Sequence, residues 1–121
     1  MLADSNIIIY AASGNYLVLL DWLLDNKISV SAISLVETLG YHKLMPKEKS
    51  ALETIFSGLT ILYPTPEIFQ TAIELRQQHP MSLGDTLIAA TALYHNLLLA
   101  THNTEDFKWI KMLTTVDPLE T

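Results

Sequence analysis

The sequence predicts an α/β protein in which a central parallel sheet is covered by helices on both faces. Short apolar segments alternate along the chain with longer amphipathic segments, the order expected of strands joined by helical crossovers. Residues 97–100 form a short, uninterrupted apolar run, which is typical of a strand buried on both faces. Because 121 residues are enough for one compact core, we expect residues 1–121 to form a single domain.

The predicted elements begin with a very short strand at residues 1–3. Helical periodicity follows at residues 6–12 and 16–24, and a Ser-Gly-Asn sequence between these segments interrupts it. Residues 28–32 alternate with the period of two that a strand requires. The next stretch, residues 35–44, is again helical in its periodicity.

The second half of the chain continues the alternation. Pro46 is suited to the first turn of a helix that we place at residues 46–56. Residues 59–63 are strand-like and are closed by two prolines, and the helix at 67–78 ends before Pro80. The remaining predicted elements are a helix at 84–95, a strand at 97–100, a short helical segment at 105–112 and a strand at 114–116.

The composition limits the class of protein. Half of the residues are apolar and 17% are charged, as in ordered globular domains. The absence of cysteine excludes a disulfide framework, a thiolate zinc site and a cysteine nucleophile. The first basic residue is Lys27, which does not fit a secretory signal, and the longest apolar run, residues 7–12, is too short to span a bilayer. We therefore expect a cytoplasmic protein that does not associate with a membrane.

Four of the thirteen acidic residues have unusual surroundings. Glu37, Asp85 and Asp106 each have apolar residues at helical spacing on the same predicted face, so their carboxylates are expected to point toward the protein. Asp4 directly follows the first strand, where its side chain would enter the crevice at the carboxyl edge of the sheet. The four acids are therefore expected at one end of one sheet.

Helix capping offers an alternative explanation for each acid taken singly. Ser34 and Ser82 precede Glu37 and Asp85 by three residues, as in a capping box. Thr104 could cap a helix that carries acids in its first turn, and Asp4 could cap the helix that follows it. Capping does not explain why all four acids converge. Carboxylates at 4 Å repel by about 4 kcal/mol per pair at an effective dielectric near 20, and a divalent cation with oxygen ligands would relieve this repulsion.

Four segments carry a known pattern: residues 4–6 (Asp-Ser-Asn), Glu37, residues 85–92 (Asp-Thr-Leu-Ile-Ala-Ala-Thr-Ala) and residues 101–107 (Thr-His-Asn-Thr-Glu-Asp-Phe). In this order and spacing they resemble the PIN-domain nucleases, most closely the VapC-like toxins of toxin–antitoxin pairs. The resemblance extends from residue 4 to the final predicted strand. It implies a three-layer α/β/α sandwich with a central parallel sheet, and a ribonuclease that depends on Mg²⁺ or Mn²⁺.

The resemblance also implies which residues form the site. The positions that match the family's metal-binding catalytic acids are Asp4, Glu37, Asp85 and Asp106. The positions that match its supporting polar groups are Ser5, Thr101 and Asn103, which would orient the carboxylates. His102 departs from the pattern, because relatives often carry arginine at this position.

The charge of the chain bears on its expected substrate, RNA. The net charge of −6 is unfavourable for binding phosphates, although bound cations would offset part of it. The candidate RNA-binding residues lie close in sequence to the acids and are Lys43, Lys47, Lys49, His102, Lys108 and Lys111. The alternative is that the lysines form a solvated helix face and that His102 is an exposed loop residue. Pairing of two subunits in a homodimer could align these groups along one groove.

Other functions remain open at the level of sequence. A phosphohydrolase could use Asp4 as a covalent nucleophile, and an inactive relative could retain the fold as a binding module. A toxin and a housekeeping RNA-processing nuclease would share the same active site. As a toxin, the protein would have a cognate antitoxin as its partner.

Overall fold

The computed structural model describes residues 1–120 and contains the predicted α/β architecture. Its strands are short, as expected for the brief apolar runs in the sequence. In chain order the described elements are β1 (Leu2–Ala3), α1 (Ser5–Ala12), α2 (Leu17–Asp25), β2 (Ser29–Ser31), α3 (Ala32–Leu39), α4 (Pro46–Ser57), β3 (Thr60–Leu62), α5 (Pro66–Gln78), α6 (Leu83–Tyr94), β4 (Leu99–Ala100), a 3₁₀ turn (Thr104–Asp106) and β5 (Thr115–Val116).

The strands form one parallel sheet in the order β3-β2-β1-β4-β5. The central strand is β1, in which Ala3 is in register with Val30 of β2 and Ala100 of β4. The chain continues this pairing beyond the strands, because the Asp4 N–H donates to the Ala100 carbonyl at 3.0 Å. In a parallel sheet all carboxyl ends lie at the same edge, so the residues after β1, β2 and β4 meet there.

Each face of the sheet is covered by its own group of helices. On one face Leu2 and Leu99 are in a buried cluster with residues of α5 and α6. On the other face Ala3 and Val30 are in a second buried cluster with residues of α1, α2 and α4. The alternation of Leu2 and Ala3 between the two clusters follows from the period of two in a strand. The predicted three-layer α/β/α sandwich with a central parallel sheet is confirmed.

The predicted helix at residues 35–44 is displaced in the structure. The observed α3 begins at Ala32, because the Ser31 side chain accepts a hydrogen bond from the Ile33 N–H at 3.1 Å and caps the helix there. It ends before Gly40, whose N–H donates to the Val36 carbonyl. A Cβ atom at Gly40 would lie 2.2 Å from that carbonyl oxygen, so glycine permits this close ending.

The predicted helical segment at residues 105–112 is largely a series of tight turns. The N–H groups of Phe107, Ile110 and Leu113 each donate to the carbonyl three residues earlier. This spacing places side chains three residues apart on the same side. Phe107 and Ile110 are buried in the core and Leu113 packs against it. The predicted helical segment is therefore present only as a 3₁₀ turn at Thr104–Asp106 followed by further turns.

No helix within residues 1–120 has both the length and the apolar character needed to cross a membrane.

Candidate functional site

Asp4 occupies the centre of the site and forms hydrogen bonds to two neighbouring elements. It caps α1 by accepting the Ile7 N–H at 3.0 Å through Oδ1, and its Oδ2 accepts the Thr101 hydroxyl at 2.5 Å. The side chain is almost completely buried, with a residue exposure of 4%. The capping alternative for Asp4 is therefore correct, but capping uses only one of the two carboxylate oxygens. The other oxygen ties the end of β1 to the end of β4.

Thr101 is held in place by the residue that follows His102. The Asn103 backbone N–H donates to Thr101 Oγ1 at 3.0 Å, which leaves the hydroxyl proton of Thr101 free to point at Asp4. Thr101 is fully buried, whereas Asn103 is exposed. The contact between Asn103 and the site is thus made through its backbone, and Thr101 contacts the acid directly.

Ser5 connects Asp4's helix to Glu37 on α3. Its Oγ lies 2.7 Å from Glu37 Oε1 and 2.8 Å from Ser34 Oγ. A serine hydroxyl has one proton and a carboxylate can only accept, so we assign the Ser5 proton to Glu37 and let Ser34 donate to Ser5. Ser34 is fully buried and is not the cap of α3, since Ser31 is. The proposed capping box between Ser34 and Glu37 is therefore wrong.

Glu37 is an exposed residue, but its carboxylate points toward neighbouring elements of the protein, as expected. The carboxylate is directed across α3 toward the first turn of α6. A Cβ atom built on Gly84 would lie 2.3 Å from Glu37 Oε2. The Glu37 carboxylate can therefore occupy this position because residue 84 has no side chain.

Asp85 follows in the same turn of α6 and is partly buried. Its backbone N–H donates to the Ser82 hydroxyl at 3.1 Å, so Ser82 caps α6; the reciprocal bond of a capping box, from the Ser82 N–H to the Asp85 carboxylate, is not found among the described residues. Burial raises the pKa of the Asp85 carboxyl, repulsion from Glu37 and Asp106 raises it further, and a hydrogen bond from Ser82 opposes these effects. The carboxylate therefore lies in a locally acidic and partly desolvated environment.

The four acids share one electrostatic neighbourhood. Burial is the main cause that raises the pKa of Asp4, hydrogen bonds from Thr101 and Ile7 oppose it, and repulsion from Asp85 and Glu37 adds to it. Asp85 in turn is affected by Glu37 and Asp106. The predicted convergence of the acids at the carboxyl edge of the sheet is consistent with this mutual repulsion.

Asp106 completes the group from the 3₁₀ turn and is exposed. The turn has Asn103 at its N-cap position without a side-chain hydrogen bond, so the alternative in which Thr104 caps it is wrong. Asp106 and Asp85 line the same surface cavity. Asp106 is thus placed beside Asp85 and further from Asp4.

The donor set fits a hard divalent cation. Within residues 1–120, no three acidic or histidine side chains converge closely enough to form a complete metal site by themselves. Mg²⁺ does not require such a cage, because it usually keeps several waters and binds through one or two carboxylates together with substrate phosphates. Burial and mutual repulsion raise the pKa of the Asp4 and Asp85 carboxyls, and hydroxyl groups donate to Asp4 and Glu37. Carboxylate oxygens in such surroundings are suitable ligands for Mg²⁺.

Three of the basic candidates have contacts of their own. Lys108 pairs with Glu105 at 2.9 Å on the surface. His102 Nδ1 lies 2.8 Å from Asp117 Oδ2, and the Asp117 side chain is only 8% exposed. Lys47 lines a surface cavity between α2 and α4. Among the described residues, no ion pair joins one of the lysines to the four acids.

Three residues of the site have contacts that the sequence analysis missed. Ser34 was considered only as a cap, and Asp117 carried no local signal at all. Gly84 did carry a signal, since glycine in the first turn of a helix costs about 1 kcal/mol relative to alanine and implies a reason for its presence.

Comparison with known proteins identifies the family. The family model described as PIN domain matches residues 1–111. The chain therefore belongs to the PIN domain family, whose members are generally nucleases. A search of curated proteins finds no significant match.

Several solved structures that are similar to this chain are toxin–antitoxin or VapBC complexes. The chain is similar to a chain of a toxin–antitoxin complex from Klebsiella pneumoniae, with a TM-score of 0.78, 28% identity and coverage of 99% of this chain and 98% of that one. It is also similar to VapBC2 from Rickettsia felis bound to a promoter DNA fragment, with a TM-score of 0.80, 29% identity and coverage of 95% and 96%. For VapBC-1 from nontypeable Haemophilus influenzae the values are 0.78, 27%, 96% and 96%. These likenesses support the predicted resemblance to VapC-like proteins.

Proposed function

We propose that this protein is a Mg²⁺-dependent ribonuclease and the toxin of a toxin–antitoxin pair. The observation that carries the proposal is the group of four carboxylates, Asp4, Glu37, Asp85 and Asp106, at the carboxyl edge of a PIN-domain sheet. Mn²⁺ has similar oxygen-ligand preferences and would substitute for Mg²⁺.

The four acids are proposed to hold the cation together with the substrate phosphate. When bound, a divalent cation supplies a nucleophilic water at neutral pH and stabilises charge on the phosphoryl and leaving oxygens. Asp4, which is buried and hydrogen-bonded on both oxygens, has the most rigid position in the group. Glu37, Asp85 and Asp106 are more exposed, so a phosphodiester could reach them from solvent.

The neighbouring hydroxyl groups are proposed to orient these acids. Thr101 donates to Asp4 and is itself held by the Asn103 backbone, while Ser5 donates to Glu37 with Ser34 behind it. Each acid in these two pairs thus keeps one carboxylate oxygen directed away from its hydroxyl partner. Groups of this kind position metal ligands and do not carry out chemistry.

The RNA strand is proposed to contact the basic residues near the site. His102 is the best defined of these, because the nearly buried Asp117 carboxylate holds its Nδ1 and leaves Nε2 for another partner. Lys43, Lys47 and Lys49 follow the helix that carries Glu37, and Lys108 and Lys111 follow Asp106. A homodimer would bring two such sets together. Acting on cellular RNA, the protein would work in the cytoplasm.

The proposed partner is an antitoxin protein, since the similar solved structures are toxin–antitoxin and VapBC assemblies. A housekeeping RNA-processing nuclease with the same site is the alternative. The toxin and the housekeeping nuclease are distinguished by growth experiments with the neighbouring gene. If this chain is a toxin, its expression alone should arrest growth. Co-expression of a small adjacent reading frame, which would encode the antitoxin, should relieve the arrest. Growth that is unaffected by the active chain would contradict the toxin assignment but not the nuclease.

The nuclease activity itself is tested with purified protein and labelled single-stranded RNA. Cleavage should require Mg²⁺ or Mn²⁺, should stop when EDTA is added and should return when the metal is restored. Cleavage that persists in EDTA would contradict the proposal. Trapping of a phosphorylated protein by acid would instead support the phosphohydrolase alternative with Asp4 as nucleophile.

A further inference from the structure

A surface cavity of about 310 Å³ adjoins the acidic group on the side of α5. Asp85 and Asp106 line it together with His79, Pro80 and Met81, and Ser82 and Glu105 complete the lining. The cavity is therefore continuous with the site at which a phosphate would be held. We propose that it is a subsite for a nucleobase of the RNA, next to the scissile phosphate, with His79 as the stacking residue; this inference rests on the proposed function.

The His79 ring lies against another aromatic ring in a tilted arrangement. Its centroid lies 4.8 Å from that of the Trp109 ring, with an angle of 34° between the planes. Nε1 of Trp109 is buried and has no hydrogen-bond partner among the described residues. The indole therefore contacts His79 through its ring and not through a hydrogen bond. It supports one side of His79, which is itself exposed.

The backbone fixes the position of His79. Helix α5 ends at Gln78, and His79 has an extended conformation with φ −159° and ψ 138°. A residue that precedes proline favours such extended conformations, so Pro80 restricts the backbone of His79. The ring is also close to the Pro80 carbonyl, with a distance of 3.3 Å from Nδ1 to the oxygen. A stacking residue that is already ordered loses little entropy when a base binds.

Single-stranded RNA is commonly recognised by such a surface. Unstacked bases bind to aromatic side chains, histidine included, and this interaction tolerates different bases because each has a flat face. The acids of the cavity do not oppose a base, which carries no charge. The negative charge of Glu105 is in addition offset by Lys108 at 2.9 Å. The phosphate would thus lie at Asp85 and Asp106 and the adjoining base against His79.

The test compares three variants in steady-state cleavage of a labelled single-stranded RNA with Mg²⁺. His79→Ala should raise KM about tenfold with kcat nearly unchanged, because loss of one stacked base weakens binding of substrate and transition state alike. His79→Phe keeps a flat ring and should restore KM. His95→Ala is the matched control, since His95 also contacts an aromatic ring, Tyr94, but lies about 15 Å from Asp85 at the other end of α6.

A second measurement does not depend on activity. When an excess of a nucleoside, which lacks the phosphate that the acids would repel, is added to the metal-free protein, the ring protons of His79 should shift upfield in the NMR spectrum and those of His95 should not. If KM is unchanged in His79→Ala and the His79 resonances do not shift, the proposed base subsite is wrong. Cleavage by the wild-type protein would in that case still support the proposed nuclease function. A wild-type chain that neither binds nor cleaves RNA would overturn the proposed function itself. Should His79→Ala fail to fold, the resonances of the wild-type protein still decide.

Discussion

The Glu37 carboxylate lies directly against the backbone of Gly84, where a Cβ atom would come within 2.3 Å of Oε2. The two residues belong to α3 and α6, which pack against each other at the edge of the sheet. Even an alanine at position 84 would therefore have to displace the acid or the helix. This contact links the shape of the helix interface directly to the position of one proposed metal ligand.

We predict that Gly84→Ala impairs cleavage more than it affects stability. The Glu37 carboxylate should move away from the group, and activity should fall about 10- to 100-fold, as for other changes in the groups that position metal ligands. Alanine is favoured over glycine in a helix by about 1 kcal/mol, which offsets part of the steric cost. Cleavage rates and urea unfolding measure the two effects.

Gly58→Ala is the control for this prediction. A Cβ atom at Gly58 would make only ordinary contacts, at 3.6 Å from the Ile55 carbonyl oxygen and from Leu24. It should leave activity unchanged. The double variant Gly84→Ala/Glu37→Asp carries a shorter acid. Its loss of cleavage activity, expressed as a free energy, should be smaller than the sum of the losses in the two single variants. Wild-type activity in Gly84→Ala would show that the position of Glu37 does not matter.

Asp85→Asn should abolish cleavage and leave the metal-free protein as stable as the wild type or more stable. The pKa of Asp85 is raised by burial and by repulsion from Glu37 and Asp106. This pKa is higher in the folded than in the unfolded chain. The protonated Asp85 carboxyl therefore contributes to the free energy of unfolding at acid pH, and this contribution is lost as the pH rises through the folded-state pKa. The advantage of the neutral asparagine should therefore be seen at neutral pH and vanish in acid.

Unfolding midpoints with and without Mg²⁺ check this prediction. Mg²⁺ should raise the midpoint of the wild type and have little effect on Asp85→Asn, because a ligand stabilises only the state that binds it. Asp21→Asn, on the exposed surface of α2, should behave as the wild type in both respects. Asp4→Asn should likewise be inactive. If Asp85→Asn is fully active, the assignment of the metal-binding acids is wrong, and severe metal-independent unfolding would favour a purely structural role.

Thr101→Val should weaken both the fold and the site. It has nearly the same shape but removes the hydroxyl that donates to Asp4 and accepts from the Asn103 N–H. A hydrogen bond to a charged group contributes about 1.5–3 kcal/mol, so the free energy of unfolding should fall by about that amount at neutral pH. Thr101→Ser keeps the hydroxyl and should recover most of the loss. Equal stability and equal Mg²⁺ affinity in the two variants would show that the hydroxyl is not needed.

The cleavage products should carry a 5′-phosphate and a 3′-hydroxyl. In the proposed reaction water attacks the phosphorus and the 3′ oxygen leaves; Asp4, Glu37, Asp85 and Asp106 would hold a cation, which would supply the activated water. Analysis of the product ends by mass spectrometry distinguishes this from attack by the ribose hydroxyl. A 2′,3′-cyclic phosphate would contradict the proposed mechanism.

Replacement of Lys43 and Lys47 by alanine should weaken RNA binding and flatten its dependence on salt. Each phosphate contact on a single strand contributes roughly 0.7 to the log–log slope, so the double variant should lose about 1.4. Affinity for Mg²⁺ should not change, because neither lysine contacts the acids. Binding titrations between low and moderate salt provide the measurement. An unchanged slope would place the RNA contacts elsewhere on the protein.

The periodicity of the sequence predicted the architecture, and the convergence of the four acids stays a prediction. Strand and helix patterns depend on residues that are near neighbours in the chain, so alternation of strands and helices, the parallel sheet and the position of Asp4 after β1 followed from local information. The same local information predicted caps at Asp4 and Ser82, which the structure contains.

Only the tertiary structure decided how the acids are held. The bonds from Thr101 to Asp4 and from Ser5 to Glu37 join residues separated by 97 and 32 positions. Such contacts depend on the distance and rotation of packed helices, which no local pattern encodes. The same holds for Gly84, whose missing side chain has meaning only once α6 lies against Glu37, and for the turns after Asp106, in which Phe107 and Ile110 are buried.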